Sequence, residues 1–484
     1  MEAMMLFNSI AFLFFFPFTV LLYFLIPGRY RYIWLLFSNY VFYLSQDRGM
    51  VLFLLYSTIL TWITGNIIYE KTSNIKKLSL FICVILNLLP LIILKYSDFF
   101  LSVAGSERTL NLLVPAGISF YTLQSMTYVI DCFRGHFPPE KNFFKYALFV
   151  SFFPCILSGP IERAENFLPQ TGSPDHDFDP ARVKEGLQYM LWGYFMKLVI
   201  VSRLEILTDL VYSNYADLSG TAVLIGVIAF SFQIYCDFAG YSFIALGAAR
   251  IIGYNIICNF KQPYFAASVQ EFWRRWHISL STWFRDYLYI PLGGSKKGRM
   301  RRYLNLMIVF IVSGLWHGAG LNFLVWGALH GAYQIAGHLL LPARKRIEAY
   351  STVLQGGRWK KAYSLLTIFI TYVIVMLTWI PFKSTDLSQA GEVFLSIFSD
   401  NRLSHLFDGT VFRLGLGVNN LVFVLAALAV VMVVDLFCER RGCMFSRLFE
   451  NMNTGFRWGV YYILIIMILF SANLSTQEFL YQGF

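Results

Sequence analysis

Three histidines stand in sequence apolar enough for a membrane. His277 lies in EFWRRWHISLSTWFRDYLYIPLGG, and His317 and His330 lie in SGLWHGAGLNFLVWGALHGAYQ. An ionisable side chain at membrane depth is costly and is usually kept for function. Imidazole titrates near neutrality, so it can take a proton from a hydroxyl or act as a nucleophile. His317 and His330 are thirteen residues apart; on one unbroken helix they would point about 220° apart. Gly318 and Gly320 predict a break between them. The spacing is not that of a two-histidine metal motif such as H-E-x-x-H, and no carboxylate stands near enough to complete a ligand set. A single buried histidine is ordinarily a packing residue. Three in one short apolar region point to chemistry.

The elements that must carry these rings come next. As a helix, Phe272–Leu288 gathers Trp273, Trp276, Leu280, Trp283, Phe284 and Tyr287 on one face. Arg274, Arg275, Thr282, Arg285 and Asp286 take the other, and His277 falls at the edge of the apolar face. Such a helix suits a membrane interface. It ends at Pro291, Gly293 and Gly294, and the basic run Lys296, Lys297, Arg299, Arg301, Arg302 places this region on the cytoplasmic side. Arg274, Arg275 and Arg285 then either anchor the helix at anionic headgroups or bind the phosphates of a nucleotide-bearing donor. Spacing does not separate these readings. Gly318, Gly320, Gly327 and Gly331 read as close helix packing. Trp316 and Trp326 read as packing residues or as the aromatic wall of a narrow tunnel. Asp237, in FQIYCDFAGYS, either locks a helix by pairing with an arginine or orients a catalytic histidine. Asp131 with Arg134 reads as a helix-end pair, and Glu162 with Arg163 as a clasp at a membrane surface.

Composition agrees. Of 484 residues, 57% are hydrophobic and 14% charged, with a mean hydropathy of +0.57, against about 25% charged in soluble domains. The deficit runs the whole length, which excludes a soluble enzyme on one anchor. The net charge of +11 is the signature of cytoplasmic loops facing anionic lipid, not of a nucleic-acid partner. The seven cysteines are scattered and read as small hydrophobes. There is no P-loop, Rossmann glycine fingerprint or G-x-S-x-G elbow. Apolar runs recur from Phe7–Ile26, read as a retained first span with its N-terminus outside, to Trp458–Phe470. They predict an all-α polytopic membrane protein of about eleven spans, with one or two re-entrant. The polar stretch Glu162–Lys184 reads as a loop, Arg344–Lys361 as a second polar, basic region on the cytoplasmic side, and 1–484 as one domain.

Five stretches then carry a resemblance: PAGISFYTLQSMTYVIDCFRG, SGPIERAENFLPQ, FQIYCDFAGYS, NFKQPYFAASVQEFWRRWHISLSTWFRDYLYIPLGG and GLWHGAGLNFLVWGALHG. In this order they resemble the membrane-bound O-acyltransferase (MBOAT) family, most of all its branch of alginate O-acetyltransferase membrane subunits. The resemblance implies a ring of transmembrane helices around a thinned core, re-entrant helices lining a central tunnel, and a catalytic core over about 112–341. It implies that His330, in W-G-x-x-H-G, is the signature catalytic histidine and His277, in W-H-I-S-L-S, the second. His317, in L-W-H-G, is typical of the branch. It implies no tightly bound cofactor, acetyl-CoA as cytoplasmic donor, and a cell-membrane (inner-membrane) location. An extracytoplasmic partner of the Ser-His-Asp (SGNH) type would complete transfer to an exported polysaccharide. Phe243, where the branch has an acid, departs from the pattern and points to a different acceptor. Competing readings are D-alanyl transfer to teichoic acid from a carrier protein, a polysaccharide or lipid transporter with histidines relaying protons, and a scaffold for the extracytoplasmic enzyme.

Overall fold

The computed structural model describes residues 5–471 apart from 47, 71–72, 172–176, 354–357, 401, 407, 443 and 451. Gly172 and Pro174 of the first polar stretch, and Cys443, lie outside the described residues. Among the described residues there is helix and turn but no β-strand, so the protein is all-α. Among the described residues, six helices are long and apolar enough to cross a membrane: Val51–Tyr69, Asn74–Val103, Gly220–Ile252, Trp359–Lys383, Gly417–Arg441 and Thr454–Ser471.

Other runs expected to span are shorter or interrupted, each for a local reason. Ile10–Leu25 has 16 residues, with Ser9 Oγ capping Phe12 N–H. The run Phe143–Leu157 breaks into Phe143–Ser151 and Phe153–Ile156. Pro154 has no N–H to continue the ladder, and its ring crowds the carbonyl four residues back. Leu187–Val201 divides between an α-helix, Pro180–Tyr194, and a π-helical segment, Phe195–Val201. In the basic region Arg344–Lys361, helix Leu321–Val353 runs through the first part and helix Arg358–Lys383 takes up the end.

The described residues pack as two compact units, one within 1–194 and 240–258, the other within 195–239 and 259–472. In the first, buried Glu162 organises the irregular backbone. Its carboxylate accepts from Arg163 N–H at 2.8 Å, Asn166 Nδ2 at 3.0 Å and Ile257 N–H at 2.8 Å. That satisfies loop donors which helices cannot reach. Asp131 meets Arg134 at 3.7 Å, as the helix-end spacing predicts.

The second unit holds all three histidines. Its central crossing sets helix Arg299–His317 against helix Leu321–Val353. A Cβ on Gly314 would strike the Phe323 carbonyl oxygen, and one on Gly327 would strike that of Phe310. Both backbones approach so closely only because neither position has a side chain. Gly318 ends the first helix in extended backbone, the break that the glycines predict. Asn322 Nδ2 then ties the start of the second helix to the carbonyls of Pro381, 3.1 Å, and Ser384, 2.9 Å. Replacing Gly314 by Ala is expected to force the helices apart at a cost of about 1–3 kcal/mol. Thermal unfolding of the detergent-purified protein checks this: the variant should melt lower, and an unchanged midpoint would refute the crossing.

Candidate active site

The segment 269–289 is not the single helix that periodicity predicts. Helix Val269–Arg275 starts in a capping arrangement, with Ser268 Oγ accepting from Glu271 N–H at 3.2 Å and Glu271 Oε2 accepting from Ala267 N–H at 2.9 Å. It stops at Trp276. A second helix, Ile278–Phe284, follows, then a π-turn, Arg285–Tyr289. The corner is His277 itself, in the left-handed region at φ 43°, a conformation costing on the order of 1–3 kcal/mol for a residue with a side chain. Asn259 holds it there. Its carbonyl takes Ile278 N–H and its side-chain oxygen takes Ser279 N–H, both at 3.1 Å. The corner swings the buried imidazole edge-on to Phe238, with ring centroids 4.6 Å apart.

The three rings come together across two aromatic contacts. His277 and His317 have centroids 6.4 Å apart. Trp326 lies 4.9 Å from His317 and 4.9 Å from His330, and Trp316 lies 5.9 Å from His277. Trp316 and Trp326 are therefore walls between imidazoles, as well as packing residues. His330 is fully buried, and both of its nitrogens are engaged. Trp273 Nε1–H donates to Nδ1 at 3.2 Å, and Nε2 faces Thr378 Oγ1 at 3.1 Å. Sequence reasoning missed both partners. Periodicity puts Trp273 only on an apolar face, and Thr378 sits 48 residues downstream of His330 on another helix, with no local signal.

A cavity of about 380 Å³ adjoins this arrangement, lined by Trp273, Phe310, Gln334 and three arginines, Arg274, Arg285 and Arg302. Trp273 and Phe310 also pack on the His330 ring. Arg285 Nε bonds Asp286 at 2.7 Å, which holds its guanidinium above the usual range. Arg302 Nε, buried in the wall, finds no acceptor among the described residues. Arg275 is different. It bonds Glu271 and Glu439, each at 2.5 Å; burial opposes its charge, but the two carboxylates outweigh that and raise its pKa. It is not among the cavity-lining residues.

Asp237 pairs with Lys197, whose Nζ bonds Asp237 Oδ1 with both side chains almost wholly buried. The acid thus meets a lysine, where the sequence offered an arginine or a histidine. Lys197 stands in the apolar run FMKLVIV, and the rule that singled out Asp237 applies equally to it.

A polytopic membrane enzyme with buried imidazoles beside a cationic cavity is the class that fold and site define. The sequence model of the membrane-bound O-acyltransferase family (MBOAT) matches residues 134–379, which contain every residue of this site, and the chain belongs to that family. It is an acyltransferase. It is 34% identical to a probable alginate O-acetylase AlgI of Pseudomonas syringae pv. tomato, over 90% of this chain and 83% of that protein. It is 31% identical to a peptidoglycan O-acetyltransferase of Helicobacter pylori, over 83% of this chain and 81% of that protein. It is 30% identical to a teichoic acid D-alanyltransferase of Streptococcus thermophilus, over 62% of this chain and 74% of that protein.

Lys197→Met is expected to strand the Asp237 charge and destabilise the protein by about 3–5 kcal/mol, whereas removing both charges together recovers most of the loss. Melting temperatures of Lys197→Met and Lys197→Met/Asp237→Leu check the pairing, and equal losses in both would refute it.

Proposed function

We propose that this enzyme takes acetyl groups from cytoplasmic acetyl-CoA and passes them, across the inner membrane, toward hydroxyls of an exported or cell-wall polysaccharide. One observation carries the reading: a buried histidine, fixed at both nitrogens, stands beside a cavity lined by arginines. Coenzyme A brings a pyrophosphate and a further phosphate. Guanidinium groups bind such oxygens by charge-assisted hydrogen bonds. Arg302, with a buried N–H lacking an acceptor, and Arg274 are the residues assigned to them. The names of the alginate and peptidoglycan relatives support acetyl as the group and a glycan as the destination. An extracytoplasmic Ser-His-Asp partner then completes the transfer to the polymer.

In this reading His330 is the general base. It takes the proton of the attacking hydroxyl as that oxygen bonds to the thioester carbonyl carbon. The C–S bond then breaks, and the departing thiolate receives the proton. His277 and His317, on the far side of Trp326, assist proton movement or orient the acetyl group. The apolar walls exclude water, the competing acceptor.

Label transfer and thiol release from radiolabelled acetyl-CoA in inverted membrane vesicles test this. His330→Ala is expected to lower both by about 10²-fold or more, with the protein still present and folded; unchanged rates would sink the assignment. Arg274→Gln combined with Arg302→Gln is expected to raise KM for acetyl-CoA about tenfold, the scale of one charged hydrogen bond. An unchanged KM would remove these arginines from the donor site.

A further inference from the structure

We infer that Nδ1 is the reacting nitrogen of His330, that the Trp273 indole caps it in the resting enzyme, and that Thr378 holds the opposite nitrogen. The inference rests on the acyl-transfer reading above. Counting protons fixes the tautomer. An indole nitrogen is a donor only, so the 3.2 Å contact from Trp273 requires a lone pair on Nδ1. The neutral ring then carries its proton on Nε2. Thr378 has one hydroxyl proton, and it is spent on the Val375 carbonyl at 2.6 Å. Thr378 Oγ1 therefore accepts from Nε2–H at 3.1 Å. Each donor from Trp273 through His330 to Thr378 then meets an acceptor. The opposite tautomer would set two buried N–H groups against each other, at the cost of an unsatisfied donor.

The two nitrogens also differ in what lies beyond them. Trp273 lines the arginine cavity, whereas Thr378 is not among its lining residues. The basic nitrogen is thus on the donor side, with one indole between it and the cavity. A lone pair already holding an N–H cannot take a proton from a hydroxyl. The acceptor must displace the indole, and a donor filling the cavity presses on that same indole. Trp273 is a positioning residue with a protective effect. If Nδ1 were bare, it would take a proton from water, the hydroxide oxygen would bond to the thioester carbonyl carbon, and the C–S bond would break. The thiolate would recover the proton, leaving acetate and CoA. Thr378 is the second positioning residue. It fixes the ring orientation and shares the charge on Nε2–H when Nδ1 becomes protonated.

The test uses the full-length enzyme in vesicles, given acetyl-CoA alone to read free thiol and acetate, and given radiolabelled acetyl-CoA with alginate loaded inside to read label transfer. Trp273→Phe keeps an aromatic ring and removes the N–H. It is expected to raise acceptor-free hydrolysis at least about fivefold while lowering label transfer to polymer; a loss of packing alone would lower both. A folded Trp273→Phe enzyme that hydrolyses no faster than the native one overturns the cap. Thr378→Val is expected to cut label transfer with KM for acetyl-CoA unchanged, and Thr378→Ser to restore it. Equal losses in Val and Ser overturn the role of the hydroxyl. Native transfer that survives His330→Ala would instead defeat the acyl-transfer reading itself. Dependence on His330 without the Trp273 effect defeats only this inference.

Discussion

A neutral imidazole satisfied at both nitrogens within apolar surroundings is the interaction on which the rest of this protein depends. In such a place an unpaired polar group costs about 1–3 kcal/mol or more, and water is not at hand to repair it. The His330 ring therefore needs two partners, and they come from different helices. Trp273 stands on Val269–Arg275, His330 on Leu321–Val353 and Thr378 on Arg358–Lys383. Each helix is located by its own device. The first is set by the Ser268–Glu271 cap, the second by the glycine crossing at Gly314 and Gly327, and the third by the grip of Asn322 on the carbonyls of Pro381 and Ser384.

Charge is distributed by the same logic. Where a charge is structural, it is neutralised: Lys197 by Asp237, and Arg275 by Glu271 and Glu439. These pairs tie separate segments together. Arg274 and Arg302 stand apart, lining a cavity with no carboxylate bound to them among the described residues. A basic region that looks uniform in sequence thus divides into arginines that hold the fold and arginines left open to an anion.

How much of this was legible from residues alone followed the range of the interactions. The all-helical membrane class and the break at Gly318 rest on composition and on neighbours a few residues apart. The corner at His277 was not legible, because periodicity sees a helix running through it. What forces the turn is Asn259, eighteen residues earlier, reaching back with its carbonyl and side chain. Thr378 was invisible for the same reason, being an ordinary hydroxyl in an apolar helix until the fold brings His330 to it. Lys197 was different, since a lone cation in an apolar run was a signal that Asp237 already illustrated. The helical extensions through 344–353 and 358–361 were not legible because membrane-grade hydropathy is silent about helix in a basic stretch.

Which nitrogen of His330 carries the proton decides whether Trp273 and Thr378 have these roles. The chain has seven histidines, so nitrogen-15 magnetic resonance of histidine-labelled enzyme in lipid, compared with His330→Gln, isolates the His330 signals. The expected spectrum is that of a neutral ring with its proton on Nε2 and an unprotonated, hydrogen-bonded Nδ1, whose resonance moves when Trp273 is replaced by Phe. A proton on Nδ1, or a His330 signal indifferent to Trp273, would contradict it.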